Sequence, residues 1–156
     1  MPTLTFSVHG SGTGVRQDVD VLGSGHLVRT DAYPDFGGKD EHPSPLAYVL
    51  ASLSSCVQVV SSVVAREQGI TVDGYDIAVD GDFDPTVLVG GAEADERHHD
   101  TFTAVRLTVT LDTAATQEQV DALGEAVERR CPVSALFQRA GTPVTSTWQV
   151  ASAVAA

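Results

Sequence analysis

One segment constrains this chain more than any other: Ala47 to Ala65 is its most apolar window, and it is framed by helix signals on both sides. Ser44 can cap a helix N-terminus, and Pro45 suits the first helical position, where no amide hydrogen is needed. Gly69 supplies a stop, so the spacing predicts a helix from Pro45 to about Gln68. Its apolar residues spread around most of the circumference, which is the pattern of a central helix covered on more than one side. The window still holds six polar residues in nineteen (Ser52, Ser54, Ser55, Gln58, Ser61 and Ser62), too many for an ordinary membrane span, so no membrane partner is expected. Ala47, Ala51, Ser52, Ser54 and Ser55 are small enough to let another helix approach closely.

The remaining elements must wrap this helix. Leu4, Phe6 and Val8 alternate with polar residues as a half-buried strand, and Gly10, Gly12 and Gly14 read as the turn that ends it. Val15, Val19 and Val21 share one parity, and His26 to Thr30 returns after Gly23-Ser24-Gly25, which completes a small antiparallel meander. Asp31 to Pro43 keeps no period and reads as a loop. Tyr75, Ile77 and Val79 form one strand, and Val105, Leu107, Val109 and Leu111 form its expected neighbour. Between them Gly81 to Asp100 is acidic, glycine-rich and aperiodic, and no regular structure is assigned to it. Thr116 to Gln119 has the form of a capping box and opens a helix that ends near Arg130. Pro132 starts a short helix over Val133 to Gln138, and Val144 to Val150 alternates as a last strand.

At 156 residues the chain is expected to form one domain, 1–156. Strands and helices do not alternate regularly, so the class is α+β with antiparallel sheet. A single layer covers an apolar helix poorly, which implies a dimer that shares its core.

Nine basic against twenty-one acidic residues leave a formal charge of -12, which disfavours nucleic acid as a partner. The first residues lack the basic and apolar regions of a secretion signal, and a cytoplasmic location is the expectation. Gly10-Ser11-Gly12-Thr13-Gly14 has the wrong spacing for a dinucleotide fingerprint and leads into a strand, so nucleotide chemistry has no support. His98-His99 lies among Glu93, Asp95, Glu96 and Asp100; adjacent histidines rarely point the same way, and a solvated acidic loop is favoured over a metal site. His9, His26 and His42 are isolated. Neither a metal nor another cofactor is expected.

The chemistry falls to two cysteines 75 positions apart, a separation that fits neither a zinc site nor a dense disulfide scaffold. Cys56 sits mid-helix, where a buried thiol is usually inert packing, and its own helix offers no terminus to lower its pKa; a reactive Cys56 would need a cation nearby. Cys131 stands before Pro132 at a break between helices, either as a packed cap residue or as a thiol favoured by free amides and the helix dipole. If the two approached each other, they would form a dithiol able to cycle through a disulfide, a chemistry suited to reducing peroxides.

Taken together, Pro34-Asp35-Phe36-Gly37-Gly38, Pro43-Ser44-Pro45-Leu46, Ser54-Ser55-Cys56, Gly81-Asp82-Phe83-Asp84-Pro85 and Cys131-Pro132-Val133 make a pattern that resembles the OsmC/Ohr-like proteins over about Thr3 to Val150. The resemblance implies an intertwined homodimer in which antiparallel sheets from both chains wrap two long central helices, with active sites at the interface. It implies that Cys56 attacks an organic hydroperoxide and that Cys131 resolves the sulfenic acid as a disulfide. It also implies an arginine that stabilises the thiolate and a glutamate early in the long helix that holds it. Arg16 is the nearest match to that arginine, ahead of Arg29 and Arg66. Leu46 and Ala47 stand where the glutamate is expected, leaving Glu41 or Asp40 as substitutes.

The first functional expectation is therefore a cofactor-free, thiol-dependent reductase of small organic hydroperoxides, protective against oxidative stress and regenerated by a thiol reductant not named by the sequence. Tyr33, Phe36 and Tyr48 are candidates to line its pocket. The alternative is a dimeric protein of the same fold that holds a small ligand without efficient turnover. A third reading makes both cysteines structural.

Overall fold

A computed structural model describes residues 2–89, 91 and 102–152. They fall into two compact units, Met1–Val49 and Leu50–Ala156.

The first unit is an antiparallel meander of β1 (Val8–Thr13), β2 (Arg16–Val21) and β3 (His26–Thr30), in that order. β2 and β3 lie where the valine parity puts them, but β1 begins only at Val8, and the glycines expected to form a turn belong to it. Gly12 pairs with Gln17, and a Cβ on Gly12 would sit 2.1 Å from the carbonyl oxygen of Arg16. These glycines admit a close strand approach, and the turn itself is left to Gly14 at φ 62° and Val15. Leu4 and Phe6 are exposed and lie before β1.

The loop after β3 is ordered by one carboxylate. Asp31 is buried, and its oxygens accept the backbone amides of Ala32, Lys39 and Glu41 at 2.8, 3.2 and 3.1 Å. Three donors on a carboxylate favour its charged form, and the amides of Glu41 and Ala32 chiefly hold its pKa below the usual range. Pro34–Phe36 makes one 3-10 turn within this loop.

α1 spans Pro45–Gln68, with the Ala47 amide bonded to the Ser44 hydroxyl and Gly69 at φ 71° after its last turn. Leu53, Val57, Ser61, Val64 and Ala65 are buried, while Val49, Val59 and Val63 stay exposed. One chain therefore covers only part of a helix that the sequence marks as apolar nearly all round. By length and composition this helix could also cross a membrane.

The second unit carries the core. Its sheet runs β4 (Gly74–Phe83), β5 (Phe102–Asp112), β6 (Val144–Val150). Tyr75, Ile77 and Val79 pair with Leu111, Val109 and Leu107, so the two alternating runs are neighbours as expected. Val105, Leu107, Val109 and Leu111 are buried on one face of β5, and Arg106, Thr108 and Asp112 are exposed on the other. The expectation of purely antiparallel sheet needs one correction, because β6 pairs with β5 in parallel. Two helices, α3 (Gln117–Arg130) and α4 (Pro132–Arg139), separate β5 from β6 and provide the crossover that a parallel pairing requires.

α3 opens with the expected capping box: Thr116 Oγ1 accepts the Gln119 amide, and Gln119 Oε1 accepts the Thr116 amide. Val120, Leu123, Gly124 and Val127 form its buried face. The segment from Gly81 also departs from expectation: Gly81–Phe83 extend β4, and Thr86–Val89 form a one-turn helix, α2. The candidate metal-binding residues Glu93, Asp95, Glu96, His98, His99 and Asp100 lie outside the described residues.

Candidate active site

α1 carries Cys56 at its middle, half-buried, on the rim of the face that Leu53 and Val57 bury. Cys131 is buried and serves two helices at once. Its amide donates to the Val127 carbonyl at 2.8 Å and closes α3; its Sγ accepts the Ser134 amide at 3.4 Å and caps α4. Pro132 has no amide to satisfy, so the break between helices falls on Cys131.

The fold brings Cys131 and the Val133 backbone near enough to Cys56 to act on its thiol. Cys56, though mid-helix in α1, thus feels the start of α4, where the Val133 backbone favours its thiolate. Burial nevertheless pushes the Cys56 thiol up. The Val133 amide opposes that rise, and the Cys131 thiol adds to it by hydrogen bonding and by charge. With both sulfurs reduced, Cys56 holds its proton more tightly than a free thiol.

Glu67 of α1 and Arg130 at the end of α3 form a two-pronged ion pair, with contacts of 2.5 and 3.1 Å. The guanidinium holds the Glu67 carboxyl below its usual range. Sequence reasoning passes over this pair, since 63 positions separate its members.

In the first unit, Arg16 lies at the start of β2 and donates to Glu41 Oε2 at 2.6 Å. Its NH2 lies 3.2 Å from His42 Nε2. Arginine can only donate, so that contact uses Nε2 as an acceptor. Of the two acids expected near Arg16, Glu41 is the one that pairs with it, while Asp40, at φ 56°, donates its amide to the Ala32 carbonyl. Arg29 faces Asp18 at 3.7 Å, and Arg66 lies on the last turn of α1. Among the candidate pocket residues, Tyr48 donates its hydroxyl to the Arg29 carbonyl at 2.9 Å, and Tyr33 is exposed. Among the described residues no three His, Cys, Asp or Glu side chains gather as a metal site.

A family model described as OsmC-like protein matches residues 38–147, most of the chain and both cysteines. This protein belongs to the OsmC-like family. An OsmC-like protein from Mycoplasma pneumoniae has a similar structure, with a TM-score of 0.75 at 16% identity over 95% of this chain and 99% of its own. An organic hydroperoxide resistance protein OsmC from Legionella pneumophila gives 0.73 at 18% identity, covering 97% of this chain and 100% of its own. An organic hydroperoxide resistance protein from Elizabethkingia anophelis gives 0.73 at 20% identity, covering 97% and 99%. At these identities the likeness speaks for the OsmC fold. No curated protein matches the sequence.

Proposed function

We propose that this OsmC-like protein reduces organic hydroperoxides, with Cys56 as nucleophile and Cys131 as resolving thiol. The observation that carries the reading is the nearness of two free thiols, one half-exposed on α1 and one buried at the α3–α4 break, the second acting on the ionisation of the first. The names of the Legionella and Elizabethkingia proteins point the same way.

In this reading the Cys56 thiolate attacks the outer peroxide oxygen and the O–O bond breaks. The alcohol departs with a proton, leaving a sulfenic acid on Cys56. The Cys131 sulfur then attacks Cys56 Sγ and expels the oxygen as water, and the disulfide forms. An external dithiol supplies two electrons and two protons to restore both thiols. Neither metal nor organic cofactor takes part.

Arg16 is proposed as the cation that favours the Cys56 thiolate. Burial alone leaves that thiol protonated at neutral pH, and nucleophilicity rests on the thiolate. The protein is further proposed to be a cytoplasmic homodimer with one OsmC-like domain, 1–156, per protomer. Exposed Val59 and Val63 on α1 support a second copy as cover for this helix, and two free thiols suit a reducing compartment.

The test is steady-state consumption of cumene hydroperoxide with dithiothreitol as reductant. Wild type turns over, Cys56→Ser does not, and Cys131→Ser gains oxygen stepwise in its intact mass. Wild type treated with one equivalent of peroxide loses two hydrogens. Equal rates for wild type and Cys56→Ser would defeat the enzyme reading and favour a ligand-binding protein of the same fold.

A further inference from the structure

We propose that Glu67 and Arg130 are positioning residues for disulfide closure, a clamp that holds the Cys131 joint against the helix carrying Cys56. The inference rests on the dithiol reading above and adds to it a pair of residues that touch neither sulfur.

The joint between α3 and α4 is a single residue. The Cys131 amide bonds back into α3, its carbonyl accepts the Ala135 amide at 3.1 Å, and its Sγ accepts the Ser134 amide. Those bonds tie the joint to its own two helices and leave its placement against α1 to other groups. Arg130, the residue before Cys131, reaches α1 directly. Its target, Glu67, lies eleven residues beyond Cys56 on the same helix, roughly 16 Å along a rigid axis. Both prongs of the guanidinium are engaged, which fixes direction as well as distance. A lysine would supply the charge without that geometry.

Closure has a defined balance: the protein dithiol and oxidised glutathione give the protein disulfide and two reduced glutathiones. A clamp that pre-places Cys131 raises the equilibrium constant of this exchange by lowering the entropy cost of bringing the sulfurs together. Both side chains are about half exposed, and ion pairs of that kind shift equilibria by up to about fivefold.

The experiment equilibrates the full-length protein with glutathione buffers, quenches with acid and reads the disulfide fraction by intact mass. Glu67→Gln and Arg130→Lys should each lower the exchange constant about two- to fivefold. The charge-reversed double variant Glu67→Arg/Arg130→Glu should recover most of it. Raising NaCl to about 1 M should lower the wild-type constant and leave Glu67→Gln nearly unchanged, a comparison in which no residue of the wild type is altered. An unchanged constant in both variants overturns the clamp, as does a fall in denaturation midpoint that is equal in both redox forms. If wild type itself forms no internal disulfide, the dithiol reading fails first, and the clamp goes with it.

Discussion

Gly124 sits on the buried face of α3, directly under the indole of Trp148 on β6, and replacing it with alanine sets two known effects against each other. A Cβ built there would stand 2.6 Å from both Cδ1 and Cγ of the indole and 2.8 Å from Cδ2. Ordinary contact begins near 3.4 Å, so the ring or the helix must yield by about 0.8 Å. In favour of the variant, alanine improves helix propensity by about 1 kcal/mol over glycine. Against it, an extra carbon in a close-packed site costs about 1–3 kcal/mol. Trp148 is 8% exposed and presents a flat, rigid ring, so the cost falls at the upper end of that range. The net expectation is a loss of about 2 kcal/mol, or roughly 4–8 °C in Tm for a chain of this size. Thermal unfolding followed by far-ultraviolet circular dichroism, a signal that survives replacement of Trp148, the chain's single tryptophan, measures it directly. Adding Trp148→Leu should remove most of the penalty of Gly124→Ala, a coupling that the double-mutant cycle isolates. A Tm that rises by 2 °C or more in Gly124→Ala would refute the reasoning, because propensity alone would then have decided the outcome.

Ser61 Oγ is buried without a hydrogen-bond partner among the described residues, so Ser61→Ala should leave stability unchanged or raise it by about 1 kcal/mol in urea unfolding. Thr116→Ala removes the side chain that caps α3 and should cost about 1 kcal/mol by the same assay. Iodoacetamide alkylation of Cys56 should accelerate with pH along a curve centred above the ordinary thiol range, and Cys131→Ala should move that curve to lower pH by removing a neighbour that raises the thiol. Asp31 has a folded pKa below its unfolded value, so its contribution to stability is complete above the ordinary aspartate range, near pH 4, and is lost as pH falls through the folded pKa. Asp31→Asn should flatten that acid-side slope in urea midpoints measured between about pH 2 and pH 5.

What the sequence made legible follows the reach of each signal. Ser44, Pro45 and Gly69 act within one turn of the helix they bound, and Thr116 with Gln119 does the same for α3; such local chemistry survives folding unchanged. The glycines of β1 misled because their permissiveness serves a close strand pairing as well as a turn, and only the partner strand decides between them. The parallel placement of β6 depends on how α3 and α4 carry the chain across the sheet, which an alternating pattern does not encode. The two cysteines were recognisable as a candidate pair, but their nearness joins residues 75 positions apart. The Val133 amide and the Glu67–Arg130 pair leave no trace in the sequence, since a backbone donor looks the same at every position and surface charges are common.

A residue shared by two helices also broadcasts its own chemical state. Any new bond at the Cys131 sulfur competes for the lone pairs that the Ser134 amide uses, while the same residue's amide remains tied to Val127. Oxidation at one atom therefore registers as looser or tighter protection at the head of one helix and the tail of another, a signal that hydrogen-exchange mass spectrometry can follow without touching either cysteine.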